Sequence, residues 1–389
     1  MSTQRQSTVP EAERLARVAL SCGVEPGDAK TSTLIRQLGA EKTLGLSLVP
    51  KPDSGLAGRL AEIDPRRQLE QAETCGIRFV VPGDPEWPTQ LDQLDDAISE
   101  GFGGTPPGLW VKGPMPLTEL DTSVAVVGSR AASTYGMEMT RAICAHLAAV
   151  GVPVVSGGAL GIDFVAHDAT LRAGGPTIAV LACGVDRVYP AQNRLLLQHL
   201  AAEFAVVSEQ PPGSGPTRPR FLARNRLIAA MTRGTILVEA ALRSGALNTA
   251  GWAELLSRQV MCVPGPATSY TSQGVNNWLR QGRGTVVTHG SDVLEMIGQA
   301  GEHLVEEPRG EIRPRDALSR IEQQVIEWVP ISSPAQVDSI AHLSSLHVRE
   351  TLGALQRLEA KGFVRHEEGG WRLVPDGEGG FARLPCGGE

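Results

Sequence analysis

Apolar positions along the chain follow three different rhythms. Between residues 84 and 300, short continuous apolar runs alternate with amphipathic stretches. The runs are Val124–Gly128, Val152–Ser156, Thr177–Cys183, Phe204–Ser208, Thr235–Ala240, Gln259–Val263 and Thr285–Thr288. Between them, Met137–Val150, Ile162–Arg172, Arg226–Arg233, Leu247–Ser257 and Val275–Arg280 place apolar residues at helical spacing. Unbroken apolar strands joined by crossover helices predict a parallel sheet covered on both faces. Seven strands of this kind predict an α/β, Rossmann-like doubly wound domain with a mostly parallel sheet, since a closed barrel normally takes eight units.

The flanks differ. Before residue 84, Glu11–Cys22, Thr33–Leu38 and Arg66–Cys75 carry helical patterning broken by Gly and Pro turns. They predict a small helical domain over 1–83, SAM-like or helix-hairpin-helix-like, whose negative charge suits packing or protein contact better than DNA. Residues 301–316 are charged and contain Pro, the composition of a linker. Beyond them, Leu318–Val329, Pro334–Leu343 and Val348–Leu358 read as helices, the last with Val348, Leu352, Leu355 and Leu358 on one face. Gly362–Arg365 and Trp371–Val374 flank a Glu367–Gly370 turn, so residues 317–375 predict a winged-helix domain. The Gly-rich, acidic segment 376–389 reads as a disordered tail.

Composition narrows the class. The 389 residues are 41% hydrophobic, which excludes wholesale disorder, and no apolar run approaches the ~20 residues of a membrane span. Met1–Pro10 is polar and lacks a signal-type apolar stretch, and the six cysteines show no C-x-x-C pair. Both features predict a cytoplasmic protein with reduced thiols. The net charge of −7 argues against a polyanionic partner, until the chain is divided. Residues 1–123 carry −6, 124–193 are neutral, 194–283 carry +6 and 284–389 carry −7. The basic stretch holds ten Arg, four Glu and neither Lys nor Asp. A GC-rich genome accounts for a general preference of Arg over Lys. It does not account for acids thinning out in this one segment.

In a doubly wound sheet, ligands bind outside the carboxyl ends of the strands. After the first run, Gly128-Ser129-Arg130 offers backbone amides, a hydroxyl and a cation, while Ser133 is explained equally well as a helix cap. After the second, Ser156-Gly157-Gly158-Ala159-Leu160-Gly161 opens a helix with three glycines, an anion site by geometry or else a bare tight turn. After the fourth come Arg218, Arg220, Arg224, Asn225 and Arg226, four cations at a helix start, where the macrodipole favours a nearby anion. Ser244-Gly245-Ala246-Leu247-Asn248 and Gly274-Val275-Asn276-Asn277 repeat the small, polar theme.

Enzyme signatures are missing. There is no G-x-x-x-x-G-K-[ST], no G-x-S-x-G, no H-E-x-x-H and no clustered metal set. NAD is disfavoured, because Cys183 and Gly184 stand where the acidic ribose partner belongs. Asp163 and His167 share a helix face but suit structural duty, and Glu209 and Glu239, which end strands, suit capping or pairing with arginines. No cofactor and no metal are predicted.

The loop motifs together resemble the DNA-processing protein A family of bacteria (DprA, also called Smf). They are Val127-Gly128-Ser129-Arg130, Ser156 through Asp163, Arg224-Asn225-Arg226-Leu227-Ile228-Ala229, Val238-Glu239-Ala240, Ser244 through Ala250, Val263-Pro264-Gly265 and Gly274-Val275-Asn276. Trp87-Pro88 and Pro106 through Gly113 fit as well. The resemblance implies a homodimeric, non-enzymatic protein that binds single-stranded DNA and loads RecA on it in natural transformation and recombination. It implies that Arg130 and the Gly157-Gly158 turn line a phosphate pocket, with Arg224, Asn225 and Arg226 beside it. The chain departs from the family at Leu222, where Pro is frequent, and at Leu160, where some relatives carry Lys. Two rival readings stand beside it. One is a nucleotide phosphoribohydrolase of the lysine-decarboxylase-like group, whose P-G-G-x-G-T-x-x-E motif the chain lacks. The other is a regulator using its winged helix on duplex DNA or on a protein.

Overall fold

The central apolar runs become strands because both of their faces are buried, while the edge strand at 285–286 is exposed. A computed structural model of the chain describes residues 9–50, 55–299, 301–303 and 314–374. Five helices come first: α1 (Glu11–Gly23), α2 (Ala29–Leu38), α3 (Ala40–Ser47), α4 (Leu56–Ala61) and α5 (Pro65–Thr74). Strand β1 (Ile77–Val80), the short hairpin β2 (Ile98–Ser99) and β3 (Phe102–Gly103), and β4 (Leu109–Lys112) follow. Then strands and helices alternate: β5 (Val124–Val127), α6 (Thr134–Ala149), β6 (Val154–Ser156), α7 (Ile162–Arg172), β7 (Thr177–Leu181), α8 (Arg194–Glu203) and β8 (Ala205–Ser208). The second half continues with α9 (Arg218–Ala230), β9 (Gly234–Leu237), α10 (Gly245–Leu255), β10 (Gln259–Cys262), α11 (Gln273–Arg280), β11 (Thr285–Val286) and α12 (Gly290–Ile297).

Nine strands form one sheet in the order β1-β4-β8-β7-β6-β5-β9-β10-β11. The seven from β8 to β11 are parallel and coincide with the seven predicted runs, whereas β1 and β4 add an antiparallel edge. Alternation along each strand divides the core. Ala125 and Val127 of β5 face a cluster with Leu227, Ile228 and Trp252, and Val124 and Val126 face another with Ile143, Leu147 and Ile162. Burying each such aliphatic side chain contributes about 1.5–3 kcal/mol.

The edge strand β1 has no counterpart among the predicted strands, and the expected boundary at residue 84 falls inside the first of two compact units. The reason is packing. Val18 of α1 and Ala72 of α5 share a buried cluster with Ile77, Trp110, Leu181 and Leu197, and the Trp110 indole N–H donates to Ser21 Oγ at 2.9 Å. The predicted helix Arg226–Arg233 also starts earlier, at Arg218, which places the arginine cluster within α9 rather than ahead of it.

The second unit contains α13 (Arg320–Ile326), α14 (Val337–Ser344), α15 (Val348–Ala360) and the antiparallel pair β12 (Val364–Glu367) and β13 (Gly370–Leu373). Val325, Ile340, Leu355, Leu358 and Trp371 form its core. Ser319 caps α13 in a reciprocal box with Glu322. Of the expected linker, residues 304–313 lie outside the described residues, and Pro314–Ala317 is a short 3-10 turn. The expected tail 376–389 also lies outside them. Among the described residues no helix is long and apolar enough to cross a membrane.

Candidate nucleic-acid interface

β5 and β9 are neighbours, yet the chain leaves them in opposite directions, β6 lying beyond β5 and β10 beyond β9. That reversal splays apart the loops at their carboxyl ends and opens a crevice. A cleft of about 940 Å³ lies there, lined by Gly128–Ala131, the first turns of α9 and the start of α10.

Helix α9 sets the chemistry. From Ala223 to Ala230 it is buried on every side, so polar side chains within it must find partners inside. Arg224 does so by donating from Nη1 to the carbonyls of Gly157, at 2.8 Å, and Val180, and from Nε to Asn225 Oδ1 at 3.3 Å. Burial pulls its guanidinium down to about 10, against the opposing pull of Asp163, so it stays charged at neutral pH. Phe221, at the cleft wall, has two cations near its ring: Arg130 stands 5.1 Å from the centroid and Arg224 6.0 Å. The half-exposed ring of Tyr189 lies 5.7 Å from Phe221 at an interplanar angle of 51°. Arginine planes and two aromatic faces at one mouth offer stacking surfaces as well as charge. Arg130, Arg218 and Arg243 line the same cleft and, among the described residues, form no ion pair.

Asn225 joins α9 to α10, its side-chain amide donating to Gly245 O at 3.4 Å and Asn248 Oδ1 at 3.1 Å. Asn248 in turn donates to Glu100 at 3.3 Å, on the β2–β3 turn. Ser244 caps α10 through Ala246 N, and Ser129 Oγ accepts from Ala131 N at 3.2 Å. The cleft therefore brings together Gly128, Ser129, Arg130, Arg218, Arg224, Asn225, Ser244, Gly245 and Asn248.

Six other expected site residues are placed elsewhere. Arg226 is fully buried and forms a two-pronged ion pair with Glu209. Arg220 is held by Glu25, with Nε 2.9 Å from Oε2 and Nη2 2.8 Å from Oε1. Ser156 Oγ donates to Val126 O at 2.6 Å and braces two strands. The glycine-rich turn is not an open phosphate cradle, because Asp163 Oδ2 already accepts from the amides of Gly157, at 3.1 Å, and Ala159, at 3.3 Å. Gly158 packs towards Leu181 and Leu197. Gly161, at φ +77°, is required where a Cβ would stand 2.2 Å from Ser129 O, so it lets two loops meet rather than a ligand approach.

The reading from residues missed Tyr189 and Arg243 and gave Phe221 no role of its own. Tyr189 follows β7 on the loop at the same end of the sheet, and Arg243 immediately precedes the α10 cap. An aromatic and a cation in loops after strands were the available signals. Glu239 holds Ser133, the N-cap of α6, accepting from Ser133 N at 2.9 Å and Ser133 Oγ at 2.5 Å, and also accepts from Thr271 Oγ1 at 2.9 Å. Asp186, beyond the end of β7, accepts from Gly213 N at 2.9 Å. Among the described residues no group of His, Cys, Asp and Glu side chains is arranged to hold a metal ion.

Comparison with known proteins agrees with this architecture. The family model described as DNA recombination-mediator protein A matches residues 78–298. A DNA processing protein DprA of Mycobacterium tuberculosis is 41% identical over 373 residues, 94% of each chain. The X-ray structure of DprA from Streptococcus pneumoniae superposes with a TM-score of 0.61 at 30% identity, covering 73% of this chain and 97% of that one. DNA processing protein A of Helicobacter pylori, solved to describe its single-stranded DNA binding mode, matches with a TM-score of 0.50 at 27% identity, over 56% of this chain and 94% of that one. The chain belongs to the DNA-processing protein A (DprA/Smf) family.

Proposed function

We propose that the cleft at the β5–β9 switch point binds single-stranded DNA, and that the protein acts in the cytoplasm as a homodimeric recombination mediator that loads RecA on the bound strand. The observation that carries this reading is the Phe221 ring with Arg130 and Arg224 both within 6.0 Å of its centroid, in an open cleft with Arg218 and Arg243. Cations neutralise phosphates, while the aromatic and guanidinium planes accept unstacked bases, which a duplex does not offer. No catalytic step is assigned to the cleft. Its carboxylates are occupied, Asp163 by backbone amides and Glu100 by Asn248.

The second unit we read as a winged-helix domain suited to protein contact or weak duplex binding. On α15, Arg357 is held by Glu322, and Val348 and Leu352 stand exposed. The test is a fluorescence-anisotropy titration of a labelled dT oligomer against a duplex of equal length, followed by RecA filament assembly on strand coated with this protein. The reading expects preference for the single strand and faster RecA assembly. Equal affinity for the duplex, or assembly no faster than on bare strand, contradicts it.

A further inference from the structure

We infer that Asp163 is a built-in counter-charge of the cleft, which positions Arg224 and, through its own negative charge, holds down the affinity of the site for phosphate-bearing ligands. The inference rests on reading the cleft as a single-strand DNA site.

Asp163 and Arg224 grip opposite sides of Gly157. The carboxylate accepts from Gly157 N at 3.1 Å, and the guanidinium donates to Gly157 O at 2.8 Å. No side chain fits between them, because a Cβ on Gly157 would stand 2.5 Å from Arg224 Nη1 and 2.7 Å from Cζ. The turn that carries one of Arg224's two carbonyl acceptors is thus fixed by the carboxylate. Asp163 lines the cleft, is almost wholly buried, and among the described residues has no ion-pair partner within 4.0 Å. Burial raises this carboxyl, and Arg224, the amides of Ala159 and Gly157 and the Ser156 hydroxyl work against that rise in favour of the charged form. Those amides are the donors that a glycine-rich helix start would otherwise present to a phosphate. In its charged form the carboxylate repels an incoming phosphate and weakens the pull of Arg224 on it.

The two roles separate by substitution. Asn at 163 keeps an oxygen acceptor for Gly157 and Ala159 but removes the charge. Ala removes both. A purely structural residue would lose affinity in both variants, whereas a counter-charge gives opposite signs.

The experiment titrates a labelled dT oligomer with the full chain as wild type, Asp163→Asn and Asp163→Ala at about 0.1 M salt, with thermal melts confirming folding. The expected results are binding about three- to tenfold tighter for Asp163→Asn and at least about tenfold weaker for Asp163→Ala, in line with one unit charge near the ligand. A folded Asp163→Asn that binds no tighter than wild type overturns the inference. If that variant does not fold, competition on the wild type decides. Inorganic phosphate should displace the oligomer no better than chloride at equal ionic strength, and specific displacement by phosphate overturns the inference. Should the wild type fail to bind the oligomer, the single-strand reading fails by itself. A thermal-shift titration with inorganic phosphate then tests Asp163 alone, with stabilisation expected in Asp163→Asn and not in wild type, and equal responses overturning the inference.

Discussion

Arg226 and Glu209 face each other inside the protein, with Nη1 2.7 Å from Oε2, Nη2 2.8 Å from Oε1, and both side chains almost wholly out of solvent. Charges taken out of water this completely depend on one another, and removing one leaves the other buried and uncompensated. Arg226→Met is expected to lower unfolding free energy by about 3–5 kcal/mol in denaturant melts. The variant that remains folded should bind single-stranded DNA as wild type does. Weak binding with unchanged stability would return Arg226 to the interface.

Glu25 and Arg220 form the opposite kind of pair. Glu25 is well exposed, so the pair contributes at most about 1 kcal/mol. Glu25→Gln should leave the melting temperature nearly unchanged and free a cation two residues from Arg218. Affinity for a dT oligomer should rise, and the slope of log affinity against log salt should steepen by about 0.7, the increment of one added phosphate contact. Adding Arg220→Ala should cancel both changes. A gain that survives in the double variant would mean that Glu25 acts elsewhere.

Phe221 is expected to contribute stacking rather than charge. Phe221→Ala should weaken single-strand binding by about 1–3 kcal/mol while leaving the salt slope as it was. A flattened slope would show instead that the ring holds Arg130 and Arg224 in place.

Acid should destabilise the second unit through Glu322. Burial alone would raise this carboxyl, but Lys361 and Ser319 overcome it and hold it at about 2, below its usual 4.5. A depressed carboxyl stabilises the fold above its unfolded value and loses that contribution as pH falls through the folded one. Melts of the full chain should therefore show the transition of this unit weakening between about pH 4.5 and 2. Glu322→Gln should flatten that dependence. An unchanged pH profile in the variant would remove Glu322 from the account.

The seven parallel strands were legible because each is a continuous apolar run, and the switch point follows from their order. β1 was not, since Ile77–Val80 is four residues long, includes Arg78, and takes its meaning only from pairing with β4. The arginine cluster was legible as a cluster but not as individuals. Arg218, Arg220, Arg224 and Arg226 look alike in one dimension, yet their fates depend on Glu25, Gly157 and Glu209, which only the fold brings near. The glycines between 157 and 161 were ambiguous for a related reason. Three glycines in five residues suit a phosphate site or a bare tight turn alike, and the space is filled by Asp163 and by the carbonyls of Ser129 and Arg130. Tyr189 escaped notice because a lone aromatic in a loop carries no period.

The most direct measurement is the salt dependence of dT-oligomer binding by wild type and Arg130→Ala. Arg130 is exposed, lies over Phe221 and forms no ion pair among the described residues, so its loss should leave the fold untouched. The account predicts weaker binding by the variant at every salt concentration, with a slope shallower by about 0.7. Identical affinity and slope in the two proteins would contradict the placement of DNA in this cleft.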